Sequence, residues 1–293
     1  MKAAAFDYHR ATSVDDAIQQ LGAADDAKVL AGGQSLVPLL AMRLARPTVL
    51  VDLNRLADLA YVRRENGELA IGALTRHRTV ETAELVRRDV PLLADALAHV
   101  GHVTIRNRGT IGGSIAHGDP AAELPAVAVA LDATFRLRGP GGERSVAAGD
   151  FFFGYLMTAL EPDELLTEIR WPVLPQGTGC AVEELTRRNG DFALVAVFAA
   201  LTMGADGVCT QARISVAGAA AAPLRADNAE QALIGSRVSA ADAGAAADRL
   251  AAATDPPNDI HAPADYRREM AAVLGRRAIQ RAWAQANRTN AGE

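Results

Sequence analysis

Apolar positions along this chain fall into short runs, some with the period of a strand and some with the period of a helix. Residues 3–10 read as a short strand ending in a turn. Ser13 and Asp16 then stand three apart as in a capping box, Val14, Ile18 and Leu21 share one helical face, and Gly22 is placed to stop that helix. Val29, Leu30 and Ala31 form a buried strand, Gly32 and Gly33 a turn, and a helix opens around Ser35 and Pro38. Residues 48–53 are a β-branched strand, so 1–55 predicts a small β-α-β-α-β unit.

The pattern continues with a strand at 68–71 after the Asn66-Gly67 turn, then helices at 80–87 and 91–100, with Pro91 in the first turn and Gly101 past the end. An apolar helix is expected at 125–131. Strands at 134–138 and 166–171 flank a loop carrying Phe151, Phe152 and Phe153. Proline and glycine cluster at 172–179 and mark a boundary. Beyond it, strands at 181–185, 194–203 and 212–217 have the spacing of an antiparallel meander. Asp227 with Glu230 opens a helix ending at Gly235, Ser239 with Asp242 caps another, and 263–286 is the last. Residues 289–293 read as a frayed tail. The fold class is therefore α+β.

Composition narrows the picture. A chain of 293 residues, 49% hydrophobic, predicts two or three cored units. A net charge of −5 lacks the basic footprint of a nucleic-acid binder. Two cysteines, Cys180 and Cys209, form no disulfide framework and cannot supply the four thiolates of an iron–sulfur cluster, which points to the cytoplasm. The N-terminus lacks a secretory apolar core, and the longest apolar run, 192–203, is too short for a bilayer, which needs about 20 residues.

The candidate chemistry lies in two glycine pairs. In Ala31-Gly32-Gly33-Gln34-Ser35-Leu36, a strand, a Gly-Gly turn and a helix start outline a cradle for phosphate, because glycine allows close approach and the first helical N–H groups lack partners. Many such turns bind nothing. Thr110-Ile111-Gly112-Gly113-Ser114 repeats the arrangement, and two such loops in one unit point to a ligand with two phosphates, or with a phosphate and a ring system. Neither lysine, Lys2 or Lys28, follows a glycine loop as a P-loop requires, and no Gly-x-Gly-x-x-Gly joins a strand to a helix. The six histidines show no metal-ligand spacing; His102 and His117 stand out only by lying beside the second loop. Asp119 and Glu123 sit at the entry of an apolar helix, placed either to cap it and complement its dipole or to accept from ribose hydroxyls. Arg187-Arg188-Asn189-Gly190-Asp191 is a charged turn, solvated or a docking surface.

These two loops, with Phe6-Asp7-Tyr8, Ile105-Arg106-Asn107-Arg108-Gly109, Asp163-Glu164-Leu165-Leu166 and the Arg187-Arg188 … Gly190-Asp191-Phe192-Ala193-Leu194 stretch, resemble the FAD-binding medium subunit of molybdenum-containing hydroxylases, the family of the carbon monoxide and xanthine dehydrogenase flavoproteins. The resemblance spans nearly the whole chain and is strongest through the first 195 residues. It implies a two-lobed FAD domain of the vanillyl-alcohol-oxidase (PCMH) type at 1–55 and 56–175, and a C-terminal domain of a three-stranded antiparallel sheet and a helix bundle at 176–293. It implies FAD held by Val29, Leu30, Ala31, Gly32, Gly33, Gln34, Ser35 and Leu36 and by Thr110, Ile111, Gly112, Gly113 and Ser114. Val100 or Gly101, Ala116, His117, Asp119 and Glu123 would lie along the rest of the cofactor, with Leu165 or Leu166 near the isoalloxazine.

The resemblance also implies partners: a small subunit with two [2Fe–2S] clusters and a large one with molybdopterin, assembled as a dimer of heterotrimers. Electrons would pass through the clusters to FAD and on to an external acceptor. Some relatives carry a lysine just before the paired arginines, where this chain has Glu183 and Glu184, and Gly118 stands where alanine is common. A free-standing FAD-dependent oxidase or reductase of the same fold is the alternative, and a structural subunit that has lost FAD is a third. For the first loop, Gly33→Val is expected to block FAD by placing a branched side chain where phosphate approaches.

Overall fold

The computed structural model describes residues 2–291. The chain opens with β1 (Asp7–Arg10), α1 (Val14–Ala23), β2 (Ala27–Leu30), α2 (Leu36–Ala41) and β3 (Val49–Asp52), whose three strands share one sheet. The strands are parallel, with β3 in the centre, as expected when a helix separates each strand from the next. Ser13 caps α1 by accepting from the Asp16 N–H at 3.0 Å. The capping box is only half made, because the Asp16 carboxylate turns to the Thr12 N–H and hydroxyl and to His9. Gly22 does not stop α1, which runs to Ala23: Gly22 keeps an ordinary helical conformation, and the chain turns extended at Ala24.

A larger antiparallel sheet follows, in the order β4 (Val62–Glu65), β5 (Glu68–Gly72), β10 (Leu165–Pro172), β6 (Thr134–Gly139), β7 (Gly142–Ala147). β4 and β7 are edge strands absent from the expected pattern: their arginines and glutamates face solvent, so no apolar alternation marks them. Between β5 and β6 lie α3 (His77–Thr82), α4 (Glu84–Asp89), α5 (Pro91–His99), α6 (Val103–Arg106), α7 (Ile111–His117) and α8 (Glu123–Ala130). The single helix expected at 80–87 is broken by Ala83, whose backbone is extended, because α3 and α4 turn to pack separately against the core. A hairpin, β8 (Phe152–Gly154) with β9 (Met157–Thr158), occupies the aromatic loop. Phe151 and Phe152 stack edge-on with Phe135, while Phe153 stays exposed.

The C-terminal region adds β11 (Thr178–Leu185), β12 (Val195–Met203), β13 (Cys209–Ala217), β14 (Leu224–Arg225), α9 (Asp227–Leu233), α10 (Ala240–Ala253) and α11 (Ala264–Ala291). Three long antiparallel strands form the expected meander, and the two-residue β14 adds a fourth. β12 is buried on both faces, between the central core and helices α10 and α11, and therefore reads as a continuous apolar run. The capping box at Ser239 and Asp242 is complete. Asp227 and Glu230 do not cap α9, whose N-cap is Ala226: Glu230 points inward to the Ile214 N–H at 2.7 Å and to Arg225. Of the expected tail, 289–291 belong to α11, and 292 and 293 lie outside the described residues.

Among the described residues, apolar side chains gather into three clusters. One lies beside the parallel sheet of β1, β2 and β3, one between the five-stranded sheet and the helices, and one between the C-terminal sheet and its helices. The central cluster includes Phe198 and Ala200 of β12, so the C-terminal sheet packs directly on the helices and the five-stranded sheet that precede it.

Candidate functional site

The two glycine loops, some 80 residues apart in sequence, meet in space. A Cβ on Gly32 would lie 2.8 Å from the Gly109 Cα and overlap the Arg108 carbonyl. One on Gly112 would lie 2.7 Å from the Ala73 carbonyl oxygen, and one on Gly113 would point toward Ala31, 3.7 Å from its Cβ. Gly32 and Gly112 are therefore required by the approach of backbone to backbone before any ligand is considered, whereas the close neighbour at Gly113 is the Thr110 hydroxyl.

The loops differ in what they offer. At the first, Gly33 takes a left-handed φ of 74°, its carbonyl accepts the Val37 N–H at 3.0 Å, and Gln34 folds its amide onto the Gly32 carbonyl. Among the described residues, the N–H groups of Gly33, Gln34 and Ser35 have no acceptor within the protein. Leu36 begins α2, and Val29 and Leu30 end β2 behind the turn. At the second loop, the donors are engaged. Ile111 and Gly112 donate to the Thr75 and Ala73 carbonyls at 3.0 and 2.9 Å, and Gly113 donates to its N-cap Thr110 hydroxyl at 3.1 Å. The half-buried Ser114 hydroxyl has no protein partner among the described residues. The first loop is an open set of amide donors; the second is a fixed floor beside it.

Three residues that the sequence pattern did not single out hold this pair together. Asn54 donates to the Ala31 carbonyl at 2.8 Å and to Asp52 at 2.6 Å. Arg76 donates to the Asn54 amide oxygen at 2.7 Å and, with its other terminal nitrogen, to the Arg108 carbonyl that packs on Gly32. His77 is buried and lies 2.9 Å from the Thr110 carbonyl through Nε2. A carbonyl only accepts, so Nε2 carries the proton. Burial, with Arg106 and Arg76 adding to it, pushes the imidazole down to about 4, so it is neutral. The one local signal was the Asp52-x-Asn54 spacing of an Asx turn; Arg76 and His77 gain meaning only through contacts 22 to 33 positions away.

The remaining expected residues form a second group. Val100 and Gly101 make the turn after α5, and Gly101 has φ 48°. Arg106 donates to both their carbonyls, at 3.2 and 3.0 Å, and pairs with Glu81 of α3 at 3.0 Å. Helix α3 thus orders both the Thr110 loop and this turn. Ala116 and His117 end α7 half-buried, and burial lowers the His117 pKa. Asp119 accepts the Ala121 N–H at 2.9 Å in the turn before α8 and does not cap that helix, whose N-cap is Ala122. Glu123 opens α8 and is 5% exposed; burial first, then the neighbouring Glu184, pushes its carboxyl up to about 8. Leu165 and Leu166 are both buried, Leu165 in the parallel-sheet cluster that Val29 and Ala31 border, Leu166 in the central cluster.

Comparison with known proteins gives the family of the chain. Residues 4–174 match the FAD binding domain in molybdopterin dehydrogenase, and residues 180–282 match the CO dehydrogenase flavoprotein C-terminal domain. The chain belongs to the FAD-subunit family of the molybdenum hydroxylases. As such it is an oxidoreductase component whose cofactor is FAD. It is 41% identical over 99% of its length to the 6-hydroxypseudooxynicotine dehydrogenase complex subunit alpha of Paenarthrobacter nicotinovorans, covering 98% of that protein. The structure of carbon monoxide dehydrogenase from Hydrogenophaga pseudoflava superposes with a TM-score of 0.95 at 40% identity, over 97% of this chain and 99% of that one. Quinoline 2-oxidoreductase from Pseudomonas putida 86 gives 0.93 at 38% identity, over 98% and 99%.

FAD fits the residues present. A dinucleotide needs amide donors for its diphosphate and backbone free of side chains at the point of approach, and the open N–H groups beside the packed glycines supply both. Among the described residues, no helix is long and apolar enough to cross a membrane.

Proposed function

We propose that this chain is the FAD-carrying electron-transfer subunit of a heterotrimeric molybdenum hydroxylase. In this reading it accepts electrons from [2Fe–2S] clusters on a small subunit and delivers them to an external acceptor, while substrate is oxidised at molybdopterin on a large subunit. The observation that carries it is the meeting of an open amide turn, at Gly33, Gln34 and Ser35, with the fixed floor of Thr110, Ile111, Gly112, Gly113 and Ser114. The first loop binds the diphosphate through N–H groups. The second meets the cofactor through close approach at Gly113 and the Ser114 hydroxyl. Val100, Gly101, Ala116, His117, Asp119, Glu123 and one of Leu165 and Leu166 line the remainder. FAD, once bound, supplies the chemistry that joins one-electron donors to a two-electron acceptor; the chain supplies its position.

Several observations support the assembly. Both cysteines are buried, and burial pushes their thiols up to about 12 at Cys180 and about 11 at Cys209, so neither is poised as a cluster ligand. Phe153, Tyr155, Leu156 and Met157 are exposed together on and beside the β8–β9 hairpin, an apolar surface of the kind covered by partner chains. The same proposal includes the dimer of heterotrimers, the cytoplasmic setting, and the division at 1–55, 56–175 and 176–293, which the separate sheets support.

Purification from cells with the neighbouring reading frames expressed tests it. Flavin, iron and molybdenum are expected in one complex, with flavin assigned to this chain by absorbance. A chain that remains colourless after FAD addition would refute the cofactor site, and full dehydrogenase activity of the chain alone would refute the subunit role.

A further inference from the structure

The open amide turn at Gly33, Gln34 and Ser35 leads directly into α2, and α2 ends in a turn with two unusual features. The Arg43 N–H donates to the Leu40 carbonyl at 3.0 Å and the Leu44 N–H to the Leu39 carbonyl at 2.9 Å, the paired bonds of a Schellman motif. Glycine ordinarily fills the left-handed position of that motif, yet Arg43 fills it here with φ 59°, a conformation strained for any side chain. The residue after it ordinarily folds back onto the helix through an apolar contact, yet Leu44 is 73% exposed, and Met42 is 48% exposed beside it. The turn is braced in this form: Arg43 Nε donates to the Lys2 carbonyl at 3.1 Å, and Arg46 Nε donates to the Arg43 carbonyl at 3.0 Å.

Arg43, Arg46 and Lys2 border an open groove of about 730 Å³ whose floor is Ala3, Ala4, Ala5 and Phe6. Among the described residues, none of the three cations has a carboxylate partner, and the backbone groups of residues 3–5 make no hydrogen bond. Strain kept at one residue, an exposed leucine and unpaired cations on a chain of net charge −5 together suit a protein surface that brings carboxylates around an apolar centre.

We propose that this turn is the docking site of the iron–sulfur chain that gives electrons to FAD, which meets Met42 and Leu44 with apolar side chains and Lys2, Arg43 and Arg46 with carboxylates. This rests on the reading of the chain as the FAD subunit of a molybdenum hydroxylase. Position favours that partner. Helix α2 has six residues, about 9 Å of rise, so the turn stands about two helical turns from the amides assigned to FAD. A chain that passes electrons to FAD must approach it, whereas a chain that binds substrate elsewhere need not. Charge disfavours a second copy of this chain, since a two-fold contact would set the same three cations against each other.

The test uses the co-expressed complex with Leu44 replaced by a photocrosslinking amino acid, and mass spectrometry identifies the captured chain. Capture of the iron–sulfur chain is expected. Capture of the large chain or of a second copy of this chain, or no capture, overturns the site. A second measurement reads the charge. Arg43→Gly removes the cation and relieves the strain, so it should melt no lower than wild type and keep its FAD. On dilution at low salt, followed by mass photometry, it should nevertheless release the iron–sulfur chain at about tenfold higher concentration than wild type. Screening at high salt should reduce that difference to about twofold. Release equal to wild type, or a difference that salt leaves unchanged, overturns the pairing with carboxylates. A wild-type complex that holds flavin and molybdenum but no iron–sulfur chain would instead overturn the subunit reading, and the docking site with it.

Discussion

His77 allows the electrostatics of the site to be tested on stability alone. Its Nε2–H donates to the Thr110 carbonyl, its ring is buried, and the Gly109 backbone closes over Nδ1. Only the neutral imidazole suits this position, and its pKa falls from 6.5 to about 4. The sign follows from linkage: the folded state resists the proton that the unfolded chain accepts. Stability is therefore full above pH 6.5 and is lost as pH falls toward 4. A tenfold change in proton affinity is worth about 1.4 kcal/mol, so the full loss is about 3 kcal/mol, of which about 2 kcal/mol falls between pH 7.5 and pH 5.

Wild type alone will not display this. Glu123 has the opposite sign: its pKa is raised from 4.5 to about 8, so its contribution is present below 4.5 and lost as pH rises toward 8. Between pH 4.5 and 6.5 the two slopes cancel in large part. The informative quantity is the difference between wild type and His77→Gln, whose amide can still donate to the Thr110 carbonyl. Urea unfolding at pH 7.5, 6 and 5 should show the advantage of wild type shrinking by about 2 kcal/mol across the series. Parallel stability curves for the two proteins would show that the imidazole titrates normally, and the account of the site's interior would be wrong.

Gly32→Ala should cost about 1–3 kcal/mol in thermal unfolding and weaken FAD, because its Cβ meets the Arg108 and Gly109 backbone, which cannot give way; an unchanged melting temperature would show that the loops are not in contact. Gly33→Val is expected to lose FAD for a different reason than its sequence implied. A Cβ there meets Val37 and Leu30, at 3.1 and 3.2 Å, not the open side of the turn, and strain at positive φ does the damage; a Gly33→Asn variant, which tolerates that conformation, should retain more FAD than Gly33→Val by absorbance. Asn54→Ala removes the link between Ala31 and Arg76 and should weaken FAD about tenfold with a stability loss of about 1 kcal/mol; equilibrium dialysis showing wild-type affinity would dismiss the brace. Ser239→Ala, far from the loops, should cost about 1 kcal/mol of unfolding free energy and leave FAD affinity unchanged.

Local chemistry made much of this protein readable in one dimension. The first glycine pair and the helix beginning after it, the cap at Ser239 and the apolar run of β12 all follow from interactions within a few residues, and each stands in the fold where the pattern placed it, whereas the second glycine pair lies within the first turn of α7. Elements whose residues carry no periodic signal were invisible: β4 and β7 are charged edge strands, and the break at Ala83 exists because two helices must each reach the core. Gly22 and Glu230 look like punctuation in sequence, yet the structure uses one inside a helix and the other as a buried acceptor. The two loops looked alike in sequence, and only tertiary structure separated them. Ala73 and Thr75 absorb the amides of the second loop, while nothing in the described chain absorbs those of the first. Asn54, Arg76 and His77 became part of the site by hydrogen bonds between segments distant in sequence. The cost of an unpaired carboxyl at Glu184 likewise depends on burial, which no single stretch of sequence contains.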